Sequence, residues 1–146
     1  MNPADLKQFP LFEDLRDDEL DLLDSLLEKQ QLTQGRRILR QGEEAESAVL
    51  VVEGTVHFET EEGDEETMEA PLTFGATALV ASGPRIATVT TSTPSLVATL
   101  SRTAFHRFAE DAPRGAVRVL ESLVTDMAAL LRQSLDHTVD RMEGEN

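Results

Sequence analysis

The 146-residue chain contains no cysteine, no tryptophan and no tyrosine. Without cysteine it forms no disulfide, thiolate zinc site or iron–sulfur cluster. Six phenylalanines carry all of its aromatic character. Long apolar runs are missing too: none approaches the ~20 residues of a membrane-spanning helix. The opening Met1 to Lys7 lacks the apolar core of a signal peptide, so the expected location is the cytoplasm. Bases are scarce, 13 Lys and Arg against 28 Asp and Glu, which leaves a net charge of −15. Such a field repels DNA, RNA and anionic lipid, so neither a nucleic acid nor a membrane is expected as a partner.

The chemistry of catalysis and metal binding is equally sparse. There is no Walker loop, nucleophile motif or carboxylate pair at a recognisable spacing, so no catalytic residue is assigned and the chain is not read as an enzyme. Of three histidines, His57 falls on an expected strand, His106 on a helix and His137 in a polar tail. Only His106 and Glu110 share a ligand-like i, i+4 spacing, and two groups make no metal site.

What is present has a clear order. Leu6, Phe9, Leu11, Phe12 and Leu15 form an apolar lead-in interrupted by Pro10. Asp17 or Asp18 is placed to cap a helix running to about Glu28, with Leu20, Leu23, Leu26 and Leu27 on its inner face. From Gln30 the pattern changes to short strands cut by Gly35, Gly42, Gly54 and Gly63, which predicts an antiparallel barrel or jelly roll over about residues 30–101. Acidic residues from Glu59 to Glu69 crowd the Gly63 turn, as a solvated hairpin tip or as a docking point for a basic partner. Ser101 is placed to cap a helix through Ala109 that buries Phe105 and Phe108. A last helix begins near Pro113 and runs to about residues 133–135, and Glu143 to Asn146 are expected to fray. The fold class is α+β, and the 146 residues suit a single domain.

The last helix carries a heptad seam, Val117, Leu120, Val124, Met127 and Leu131, widened by Leu123 and Leu130. A stripe that wide covers both its own barrel and a second helix. It predicts a homodimer interface.

The stretch from Phe74 to Val89 is the most informative. Ala76 to Ala81 is long enough for one or two helical turns, and Ser82-Gly83-Pro84 stops them. Arg85 follows, and Ile86 to Thr91 reads as a β-branched strand. Free N–H groups opening a short helix, facing an arginine, can hold a phosphate between them. This layout resembles the phosphate-binding cassette of the cyclic nucleotide-binding domains, the catabolite-activator-like family. Phe74, Gly75, Ala78, Leu79, Pro84, Arg85, Ala87, Thr88 and Val89 fit its pattern. So do the phrases Gly35-x-x-Ile38-x-x-Gln41-Gly42-Glu43 and Val49 to Val56, and the resemblance extends over about Leu11 to Leu131.

The resemblance implies a β-roll flanked by helices, with ligand-contacting positions at Gly75, Ala76, Thr77, Arg85, Ile86, Leu130 and Leu131. It also exposes departures. The family's glutamate, which binds the ribose 2′-hydroxyl, falls on Ala76, and the positions that meet the base in the bacterial activators fall on Leu130 and Leu131. Those activators continue into a winged helix-turn-helix, whereas this sequence stops after its last helix, so it reads as a free-standing regulatory module with a protein partner for its output. Two function classes follow. In one, the domain senses a small anion at Arg85, a cyclic nucleotide bound weakly or another phosphorylated molecule. In the other, the pocket is degenerate and the domain is a dimerising interaction module.

Overall fold

The computed structural model describes residues 1–144. Two short 3₁₀ helices, Pro3–Gln8 and Pro10–Phe12, lead into α1 (Asp17–Leu26). Eight strands follow: β1 (Glu28–Leu32), β2 (Arg37–Leu39), β3 (Ser47–Glu53), β4 (Thr55–Glu59), β5 (Glu65–Glu69), β6 (Leu72–Phe74), β7 (Thr88–Thr91) and β8 (Ser95–Ser101). A 3₁₀ turn, Ala76–Leu79, sits between β6 and β7, and α2 (Arg102–Asp111) and α3 (Pro113–Gly144) complete the described chain. The strands form two antiparallel four-stranded sheets, ordered β1-β8-β3-β6 and β2-β7-β4-β5. This is the expected α+β jelly roll.

The sheets differ because their sequences do. The first is covered on both faces, so β3 reads as an unbroken apolar run. Ala48, Leu50 and Val52 point to the helical layer, where they join Phe9, Phe12, Leu20, Leu23, Phe105, Phe108 and Val119. Val49 and Val51 point the other way, into the space between the sheets. The second sheet is covered on one face only. Val56 packs inward with Phe58 and Met68, while His57 and Glu59 face outward beside Glu65.

Several boundaries move for identifiable reasons. α1 is capped by Arg16 rather than by Asp17 or Asp18, because Glu19 reaches back to accept the Arg16 backbone N–H at 2.8 Å. It ends at Leu26, and Glu28, expected as its last residue, opens β1. β5 and β6 are separate strands, broken around Pro71, which has no N–H to donate to a ladder. Ser101 caps α2 as expected, its Oγ accepting the Ala104 N–H at 3.0 Å. α3 outruns its expected end and continues through Gly144, since neither glycine nor proline occurs between Gly115 and Gly144. Glu145 and Asn146, part of the tail expected to fray, lie outside the described residues. Among the described residues, no helix is long and apolar enough to cross a membrane.

Candidate ligand-binding site

The segment between β6 and β7 is held in place by the turn between β2 and β3. The Gly42 N–H donates to the Arg85 carbonyl at 2.9 Å, and the Arg85 N–H donates to the Glu43 carbonyl at 2.7 Å. The Ala45 N–H donates to the Gly83 carbonyl at 2.8 Å, and Glu44 bridges to Pro84. These bonds satisfy backbone groups that have no other ladder to join. They also explain why β7 begins only at Thr88: Ile86 and Ala87, expected in the strand, belong to this clamped turn.

The clamp fixes the direction of the Arg85 side chain. Its Nη2 donates to the Ser47 carbonyl at 2.9 Å and lies 3.4 Å from Ser47 Oγ. Its Nη1 is buried and has no hydrogen-bond partner among the described residues. Gly75 stands directly against it with φ 66°, a left-handed conformation that favours glycine. Burial lowers the Arg85 pKa from its ordinary value, and the nearby Glu43 carboxylate opposes that shift. An arginine so placed stays protonated but is poorly solvated, and it favours any anion that can reach it.

A cavity of about 450 Å³ opens beside this group, lined by Gly75, Thr77, Arg85 and Ile86 among others. Four of the seven residues expected to contact a ligand therefore surround one space. Ala76 does not line it, because the 3₁₀ turn directs Ala76 onto the helical core. Leu130 and Leu131 do not line it either: they lie on α3, 63% and 61% exposed. The missed contributors include Leu39, Ala45, Phe58 and Val89, with Ser47 holding Arg85. Strand alternation carried the signal for three of these, since Leu39 and Phe58 both pair with Val89 in register.

The expected dimer seam divides. Val117, Val124, Met127 and Leu131 are exposed, whereas Leu120 is half-buried against the helical core beside the buried Val119 and Leu123. On the second sheet, donor atoms of His57, Glu59 and Glu65 lie within 4.8 Å of one another, a grouping made by the direct pairing of Glu59 with Glu65.

The family model "cyclic nucleotide-binding domain" matches residues 29–112, more than half of the sequence. The chain belongs to the cyclic nucleotide-binding domain family. It is similar to a cAMP-dependent protein kinase regulatory subunit of Eremothecium gossypii, 32% identical over 97 residues that cover 66% of this chain and 21% of the relative. The chain thus spans about a fifth of that relative's length. Among solved structures it resembles the Thermus thermophilus catabolite activator protein, with a TM-score of 0.75 at 26% identity, over 92% of this chain and 63% of the other. It also resembles a cyclic nucleotide-binding-like protein from Brucella abortus, with a TM-score of 0.65 at 28% identity, over 75% of this chain and 97% of the other.

Proposed function

We propose that the chain is a non-catalytic sensor module that binds a small anion at Arg85 and passes the event along α3 to a protein partner. The supporting observation is Arg85, which lines a cavity of about 450 Å³ and keeps a buried Nη1 unpartnered among the described residues. A poorly solvated cation with an unpaired donor is costly, and an anion bound beside the guanidinium lowers that cost. Gly75, Thr77 and Ile86 would border the ligand. Cyclic nucleotides bind weakly in this reading, because Ala76 faces the helical core and carries no carboxylate, and Leu130 and Leu131 lie outside the cavity and offer no hydrogen bond to a base.

A second reading is favoured by α3, whose exposed Val117, Val124, Met127 and Leu131 suit a helix–helix contact between two copies. In that reading the chain is a dimerising interaction module and its cavity is idle. Thermal unfolding with cyclic AMP, cyclic GMP, cyclic dinucleotides, inorganic phosphate and simple carboxylates separates the two. A ligand present at a hundred times its Kd stabilises the folded chain by about 2.7 kcal/mol. The sensor reading expects a shift in the unmodified protein that Arg85→Ala removes. Failure of every anion tested to shift the transition leaves the interaction-module reading.

A further inference from the structure

The cavity at Arg85 is walled mainly by carbon. Leu39, Phe58, Phe74, Ile86, Ala87 and Val89 are among its lining residues, and among the described residues no aspartate or glutamate lines it. Its polar side chains are Thr73, Thr77, Ser82 and Arg85. A ligand rich in hydroxyl or amino donors would lose its water there and meet no carboxylate acceptor, and unpaired buried donors are strongly disfavoured.

Arg85 narrows the choice further. A free guanidinium presents a fork that grips a carboxylate or phosphate through two parallel bonds. Here one arm of the fork, Nη2, is already bound to the Ser47 carbonyl, and Nη1 is the arm left without a partner among the described residues. The site therefore offers one guanidinium, already tethered through Nη2, to one compact anionic group, with an apolar chamber beside it. Ile86, an aliphatic side chain left 80% exposed at the rim, would be covered by the body of such a ligand.

We propose that the natural ligand is a hydrophobic monocarboxylic acid, its carboxylate at the Arg85 guanidinium and its apolar body against Phe58, Leu39 and Ile86. The inference rests on the anion-sensing reading and names its ligand class. The volume of about 450 Å³ falls within the range of roughly 300–1,000 Å³ usual for small-molecule sites.

Calorimetry on the whole chain with decanoate, decanol, cyclic AMP and inorganic phosphate tests it, using Arg85→Met and Ile86→Glu as variants. Decanoate is expected to bind more tightly than cyclic AMP, and decanol about 10- to 150-fold more weakly than decanoate, the range for losing a hydrogen bond to a charged group. Arg85→Met should lose a similar factor. Ile86→Glu changes a side chain that is 80% exposed, so it leaves the fold intact and should weaken decanoate on the order of tenfold through like charge and a poorer apolar fit. If Arg85→Met does not fold, Ile86→Glu alone decides. Decanoate binding that neither variant weakens would place the acid elsewhere and overturn the proposal. Arg85-dependent binding of cyclic AMP or phosphate without decanoate overturns the ligand class and leaves anion sensing standing. Absence of any Arg85-dependent anion binding overturns both.

Discussion

Arg85 and Gly75 are packed so closely that a Cβ built on residue 75 would overlap Arg85 Nη1. Gly75 is also left-handed, at φ 66°. Gly75→Ala should therefore cost about 1–3 kcal/mol in strain and displace the guanidinium. Gly83, on the same turn, has open space around its Cβ position and no positive φ. Gly83→Ala should stay within about 0.5 kcal/mol of the unmodified protein or gain slightly. Urea unfolding of the two variants side by side checks this, and equal stabilities would contradict the packing.

The buried carboxylate of Glu19 joins two distant parts of the helical layer. Its Oε1 accepts Arg114 Nη1 at 2.6 Å and the Arg16 N–H at 2.8 Å, fixing the start of α1 to the start of α3. The two partners differ in exposure, with side chains 6% exposed for Glu19 and 39% for Arg114. Without Glu19, Arg114 can turn to water; without Arg114, Glu19 is left a buried carboxyl group held by one backbone donor. Arg114→Met should thus cost more than Glu19→Gln. A double-mutant cycle should return a coupling of about 0.5–3 kcal/mol. A coupling near zero, measured by chemical unfolding, would mean the pair contributes nothing.

The outer face of the second sheet sets Glu59 directly opposite Glu65. Like charges in that register destabilise a ladder, whereas opposite charges contribute roughly 0.2–1 kcal/mol. Glu59→Lys should raise the stability by that order, the more so at low salt, where screening is weak. The substitution sacrifices little at His57, whose Nε2 is 4.0 Å from Glu59 Oε2 but 3.2 Å from Glu65 Oε1. A melting temperature unchanged or lowered by the substitution at low ionic strength would refute the repulsion.

Much of this architecture was legible in the sequence because local chemistry and tertiary packing agree there. The apolar run from Ala48 to Val52 announces a strand buried on both faces, and Ser101 announces the cap of α2. The cassette was legible for the same reason: Ser82-Gly83-Pro84 admits few conformations. The obscured features depend on contacts across long separations. Ser47 gives no local sign that its carbonyl will hold Arg85, 38 residues on. Ala76 fits the cassette by spacing, yet which way its side chain faces depends on the core beneath the turn. Leu120 and Val124 both fit a heptad, but only the packing of Val119 and Leu123 decides which of them faces inward.

That decision shapes the last prediction, a parallel two-fold homodimer along α3. Val117, Val124 and Leu131 recur at intervals of seven, with Met127 between the last two, and all four are exposed. Each such side chain contributes about 1.5–3 kcal/mol when fully buried, so four per copy can offset a substantial association cost. Light scattering should give twice the chain mass. Val124→Glu with Leu131→Glu should give a monomer with unchanged helix content, because these residues are 62% and 61% exposed and take little part in the fold. Leu120 is a poorer target, since its half-buried side chain supports the helical core as well. The parallel arrangement has its own test. In a parallel two-fold coil each seam residue meets its own copy. The chain has no cysteine, so Val124→Cys introduces a single thiol, and mild oxidation should cross-link two copies through it. A dimer whose Val124→Cys form resists oxidation would mean an antiparallel or different contact, and a monomer in the unmodified protein would end the proposal altogether.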